Sequence, residues 1–402
     1  MLLSRKARRL QQSAHTATAS SMLKTKPKYG NLIAAIATVG ACDISFGLTL
    51  QLIPLIQHEL GTPAWLIGLA AAMGPLGILL AGPLLPSVIK HSGAKPVAYA
   101  AIAILLIGLF GFALTTNLAF WFPLRFALGV AAGALFTVSE TWILGSTTDA
   151  NRGRIMGLYT TVLSITFAVG PLLLPFTGIY GWFPWVIGMV CVALGALPLV
   201  FVKVNSHLGE RSHSFFGVFK RAPLLFATIG CATFFDNVFI SFFSIFATTK
   251  GVELSTASTM LGFGVIGCAL FFFPMGWLGD HWSRSKVIMC NSAITITCCL
   301  LLGPFINSWI AWPLIVLLAS TAFGVYVVAL AATGDVFKGA DIIASSSATA
   351  AMWGIGGLIG PPVAGAAIDA FGVDAMPYTL AVMYAALLIS LIFNGGKLAR
   401  MV

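Results

Sequence analysis

Pro86-Ser-Val-Ile-Lys90-His91-Ser-Gly-Ala-Lys95 and Gly276-Trp-Leu-Gly-Asp280-His281-Trp-Ser-Arg284-Ser-Lys286 begin 190 residues apart, and each follows a long apolar run. Two more pairs keep the same offset: Gly170-Pro171 with Gly360-Pro361, and Gly61 with Gly251. A single coincidence of this kind is easy to find, but three at one offset mark an internal duplication. The seam between the halves is the polar segment Lys203–Pro223, the longest stretch without an apolar run after residue 30.

The runs on either side of that seam have the length of bilayer-spanning helices, about 20 apolar residues each. Twelve are legible, near 31–56, 64–88, 96–115, 118–144, 155–178, 182–202, 224–248, 257–277, 287–306, 309–333, 342–367 and 378–394. They predict an all-α membrane protein of twelve transmembrane helices in two pseudo-symmetric six-helix bundles. The expected organisation is a basic tail (1–30), a first bundle (31–202), a linker (203–223), a second bundle (224–394) and a short tail (395–402). Composition agrees: 58% of residues are hydrophobic and 8% charged, against about 25% charged in soluble domains. Too few ions exist to cover a soluble globule, which excludes a soluble enzyme, a disordered chain and a nucleic-acid binder.

The excess of 22 Lys+Arg over 12 Asp+Glu is topological. Seven cations precede Asn31 with no acid among them, and with the N-terminus inside, only Lys250 falls outside and only Arg125 within a span. Such a bias places both termini in the cytoplasm. The first thirty residues lack the apolar core of a cleavable signal peptide. All seven cysteines lie in apolar runs without paired spacing, so they read as small buried hydrophobes, and no metal site or cofactor is expected. No phosphate-binding loop or hydrolase motif is present.

With these residues in view the chain resembles a major facilitator superfamily transporter from Asn31 onward. That family's loop motif, Gly-x-x-x-Asp-Arg-x-Gly-Arg-Arg/Lys, is matched better by Gly276, Asp280, Arg284 and Lys286 than by the first copy, where Pro86 and Lys90 replace Gly and Asp. Arg125-Phe-Ala-Leu-Gly129-Val-Ala-Ala-Gly133 is similar to the span-4 Arg-x-x-x-Gly signature. Ser139-Glu140-Thr141-Trp142 followed by Asn151-Arg152-Gly153-Arg154 resembles a bacterial branch. The resemblance implies a bacterial inner-membrane protein, two halves rocking about a central site, a small-molecule substrate, lipid as its surroundings, a coupling proton and a monomer. It also implies gating by Asp280 with Arg284 at one loop. Glu140, about 22 residues into span 4, is expected at the inner interface near Arg152 and Arg154, an ion pair that holds the inner gate shut in one state.

Asp43, Arg125 and Asp236 are the ions placed deep within spans, at an expected depth near the midplane. Two readings stay open. One has Asp43 or Asp236 binding a proton or substrate with Arg125 as counter-ion; the other is a permanent Asp–Arg pair that locks two helices. Span 7 repeats Phe235, Phe239, Phe242 and Phe246 at helical spacing beside Asn237, Ser241 and Ser244. With Gln51 and Tyr326, Phe239 and Asn237 complete the candidate substrate set, the phenylalanines as membrane packing or as a wall for a planar ligand. As a whole the chain is similar to facilitators that import riboflavin, though no motif carries that likeness. The alternatives are proton-coupled efflux of drugs or sugars and, from another class, a non-transporting receptor or a channel.

Overall fold

In the computed structural model, residues 29–146, 152–201, 215–337, 341–394 and 398 are described. Twelve helices among them are long and apolar enough to cross a membrane. In order they are Tyr29–Glu59, Ala64–Ala81, Ala94–Leu114, Leu118–Ser146, Arg152–Thr177, Phe183–Ala196, Pro223–Thr249, Leu254–His281, Arg284–Phe305, Ala311–Val336, Asp341–Phe371 and Ala375–Phe393, called spans 1 to 12 below. Two short helices, Leu85–Ser92 and Phe215–Arg221, join them. Residues 1–28 of the first tail, residue 202, residues 203–214 of the expected linker, and the second tail except Leu398, whose carbonyl accepts from Leu225, lie outside the described residues.

Span 2 is shorter than the expected 64–88. Gly82 and Pro83 stop it at Ala81, and Pro86 begins the separate helix Leu85–Ser92, since proline favours a first turn and breaks an interior. The second copy has Phe273 and Gly276 at the positions of Pro83 and Pro86, and span 8 runs to His281 with Pro274 accommodated inside it. The duplication is visible in the backbone as well: Gly61 and Gly251 adopt φ of 73° and 90°, the left-handed region a glycine enters freely.

Spans 1–6 and 7–12 form the two bundles. Within each, the same crossing recurs. A Cβ on Gly170 of span 5 would meet the backbone of Gly47 and Ile44 in span 1 at 2.5–2.7 Å, and one on Gly360 of span 11 would meet Phe234 of span 7 at 3.1 Å. Between the bundles, span 2 packs along span 11, span 5 along span 8, and span 1 against span 7. Large apolar side chains such as Ile107, Leu114, Phe176 and Phe393 cover the outside, as lipid-facing residues do.

Aromatic clusters fill the bundle interiors. Phe112 stacks on Trp185 at 5.5 Å with Trp121 edge-on at 5.2 Å, and the Trp121 indole donates to the Thr115 carbonyl at 2.6 Å. In the second bundle Phe235, Phe239 and Phe243 form a ladder at 5.2 and 4.9 Å beside Tyr384, whose hydroxyl donates to the Ala322 carbonyl at 3.0 Å. Satisfying the polar tip of each ring removes the cost of its burial.

The face where odd-numbered spans begin is called the linker face and the opposite one the far face. At the far face Lys250 pairs with Asp374 at 2.6 Å, and Tyr180 donates to Glu59 at 3.2 Å, a carboxylate that raises the phenol above its ordinary range. At the linker face Arg221 pairs with Asp341 and lies over the Phe337 ring, fixing the short helix Phe215–Arg221 to spans 10 and 11. These exposed pairs tie loops within one bundle and each contributes at most about 1 kcal/mol. Lys250→Ala is therefore expected to shift a thermal melt by less than about 2 °C.

Candidate functional site

Helical rise sets the height of each candidate. Asp43 lies 14 residues into span 1 and Asp236 13 residues into span 7, so both stand about 20 Å from the linker face. Glu140 is six residues from the end of span 4, Tyr159 seven into span 5 and Tyr326 ten from the end of span 10, about 9–15 Å from the same face. Tyr159 is within electrostatic range of both Glu140 and Asp43, and Tyr326 of both Glu140 and Asp236. Long-range electrostatics alone thus relates Asp43, Tyr159, Glu140, Tyr326 and Asp236 in a run from one bundle to the other through Glu140, with no hydrogen bond or ion pair between consecutive members among the described residues. Asp43 is buried, Asp236 half-buried and Glu140 exposed.

Second-bundle aromatics flank this run. Tyr326 lies 5.5 Å from Phe323, which stacks on Phe272 at 5.7 Å, and all three rings are half-buried. In the first bundle, Tyr159 shares a 2.7 Å hydrogen bond with Ser139, itself a donor to the Phe136 carbonyl. Asp43 also borders a pocket of about 410 Å³ with Cys42, Ser45, Phe46, Thr49 and Leu128, between spans 1, 3, 4 and 6.

Arg125 is elsewhere. Span 4 starts at the far face, so Arg125, seven residues in, is about 10 Å from that face rather than at the depth of the two acids. It opens into a pocket of about 280 Å³ with Leu50, Ile53, Ala71 and Gly74, which adjoins the Asp43 pocket through Phe46, Thr49 and Leu128. It is 4% exposed, and its Nη1 and Nη2 have no hydrogen-bond partner among the described residues. No ion pair joins it to Asp43 or Asp236 among those residues, so neither the counter-ion nor the locking pair is present.

Other candidates are likewise redirected. Gln51 does not face the run: its Nε2 donates to Ser244 at 2.6 Å and Ser258 at 2.8 Å, joining span 1 to spans 7 and 8 nearer the far face. Phe239 is buried in the ladder of the second bundle, so the span-7 aromatic stripe is packing and not a wall. Asn237 donates to the Thr233 carbonyl one turn back, at 2.9 Å, and packs where spans 2, 7 and 11 meet. Arg284 pairs with Asp335 at 2.6 Å, within one bundle rather than across the two. The side chains of Asp280 and Arg152 lie outside the described residues, so the two expected gating contacts do too. Phe272 and Phe323 escape a reading of the sequence, because nothing distinguishes them among 30 phenylalanines.

Hydrogen bonds between the bundles tie the far face together. Besides Gln51, the cross-bundle hydrogen bonds at the far face are, among the described residues, those of Asp369, at the end of span 11, with the start of span 2. In span 4, close to the linker face, Glu140 remains exposed.

Comparison with known proteins agrees with this architecture. A sequence profile of the Major Facilitator Superfamily matches residues 35–229 and 225–397, one copy per half. The chain is 26% identical over 285 residues to the uncharacterised MFS-type transporter YfkF of Bacillus subtilis strain 168, covering 68% of this chain and 72% of that one. It superposes on the nucleoside transporter NupG with a TM-score of 0.74 at 15% identity, over 93% of this chain and 100% of that one. A bacterial homologue of the human lysosomal transporter Spinster, inward-facing and occupied, gives 0.71 at 14% identity over 92% and 96%.

Proposed function

The chain belongs to the Major Facilitator Superfamily, and from that premise we propose that it imports a small, planar, hydrogen-bonding organic solute by proton-coupled alternating access. What supports the reading is that Asp43, Glu140 and Asp236 are carboxyls held within spans, with Glu140 exposed in span 4 and in electrostatic reach of a tyrosine on each bundle. Carboxyls at such depth are costly and are retained where they take up protons or ligand. Phe272, Phe323 and Tyr326 supply the flat surface that the span-7 phenylalanines do not. The cation bias supports a cytoplasmic linker face, and the family suggests a monomer of the bacterial inner membrane.

In the cycle, Glu140 and the two aspartates bind the proton and the donor groups of the solute. Rocking of the bundles about the 2/11 and 5/8 seams then exposes the run to one side at a time. Riboflavin is the first solute to test, and the nucleosides that the structural neighbour's name points to are the second.

Proteoliposomes with an imposed proton gradient test this directly. Labelled riboflavin or a nucleoside is expected to accumulate with the wild type, and Asp43→Asn or Asp236→Asn to reduce accumulation to that of empty vesicles. Tyr326→Ala should weaken solute binding while the protein still inserts. Failure of both solutes, together with extrusion of lipophilic cations from cells, would replace uptake by efflux. Ohmic currents would point to a channel instead.

A further inference from the structure

Span 2 begins after Pro63, which has no side-chain acceptor to cap it. Its first backbone amides are nevertheless capped, and by the other bundle. Asp369, near the end of span 11, accepts from Ala64 N–H at 2.9 Å through Oδ1 and from Trp65 N–H at 2.7 Å through Oδ2. The opening amides of a helix have no acceptor of their own and carry its positive end, so a carboxylate there satisfies two donors and meets the dipole.

Close packing holds this cap in register. A Cβ on Gly365 would stand 2.7 Å from the Ala64 carbonyl carbon, and one on Gly68 2.5 Å from that of Pro361, so spans 2 and 11 touch through backbone at the far face. The other seam is built differently. Counting 190 residues, Asp369 corresponds to Ile179 and Ala64 to Leu254. Span 8 starts after Glu253 without a side-chain cap, and its glycine contact, Gly262 on Leu172, is with a side chain. Of the two symmetry-related seams, one alone carries a carboxylate across the bundles among the described residues.

We infer that Asp369 is the latch that holds the far face shut in this state, acting as a positioning residue for alternating access. Opening the far face must withdraw the carboxylate from the start of span 2 and leave both amides to water. The inference rests on the alternating-access reading, and on neither the solute nor the proton-carrying residues.

Spin labels on Leu60→Cys and Trp309→Cys test it. These positions are 54% and 79% exposed at the far face, one on each bundle, and the exposed Cys290 is replaced by Ser in the same protein. Asp369→Ala is expected to raise the ratio of the long to the short label separation about fivefold, the equivalent of losing one good cap. Asp369→Asn, which keeps one acceptor without the charge, should raise it less. Should Asp369→Ala not insert, the Asn variant carries the test. Amide exchange at Ala64 and Trp65 should speed up in both. Faster exchange with unchanged label distances would overturn the latch and leave a mere helix cap. A single distance in the wild type under all conditions would overturn alternating access itself.

Discussion

Gly129→Val is expected to prevent correct assembly of the first bundle, whereas Gly133→Ala, one helical turn on, is expected to be tolerated. Both glycines belong to the same Arg-x-x-x-Gly-x-x-x-Gly pattern, but they face different atoms. A Cβ at position 129 would run into the Gly74 carbonyl oxygen, with that residue's carbonyl carbon and Cα each at 2.7 Å. These are backbone atoms inside span 2 and cannot rotate away, so spans 2 and 4 would have to move apart along their contact. Overpacking of this kind costs about 1–3 kcal/mol and more where backbone is involved, a large share of the roughly 5–15 kcal/mol that holds a domain together. At position 133 the nearest atom would be Ile78 Cα at 3.5 Å, an ordinary contact. The second bundle supplies an internal control. The counterpart of Gly129 there is Ala319, and Gly264 on span 8 meets Ile315 and Ala319 side chains at 3.2 and 3.6 Å, so that crossing is already wide enough for a Cβ. Melting in detergent and the monodisperse fraction after purification measure the contrast. Equal behaviour of the two variants would show that spans 2 and 4 do not pack through Gly129.

The twelve spans are legible because run length alone reports them, and the duplication because glycine and proline mark turns and crossings by geometry. The candidate site is legible in part. Asp43, Glu140 and Asp236 stand out in an apolar chain, and counting residues gives their height. Height does not give azimuth, and in span 7 the usual guide to azimuth fails: 83% of its apolar window is buried, so every face meets protein and polarity no longer separates cavity from packing. Phe239 and Asn237 read as cavity residues for that reason, and Gln51 because its partners, Ser244 and Ser258, are about 200 residues away. Arg125 groups with the acids in sequence since a charge in a membrane suggests a partner, but span 4 runs from the far face and carries it past them. Asp369 gives no sequence signal at all: its partners are backbone amides about 300 residues distant.

Arg125→Met is expected to make the protein more stable and transport-dead. The guanidinium is 4% exposed, with Nη1 and Nη2 unpaired, among Phe46, Leu50, Ile53 and Leu128. A charge at a helix centre costs about 2.5–3.5 kcal/mol on insertion scales; nearer the far face Arg125 bears part of that cost, and no carboxylate among the described residues offsets it. Methionine is unbranched and flexible enough to fill the same pocket. Exchanging a buried ion for a well-packed apolar side chain is commonly neutral or stabilising by about 1–4 kcal/mol, and a melt higher by several degrees is the corresponding readout. Arg125→Lys keeps the charge and should give no such gain. A side chain that costs the fold stability is retained for what it does, so uptake by Arg125→Met should fall to background although more protein is folded. This opposes Gly129→Val, in which stability and transport are lost together. A less stable Arg125→Met variant would mean that the guanidinium is paired within the fold, and a stable one that transports normally would remove Arg125 from the functional residues.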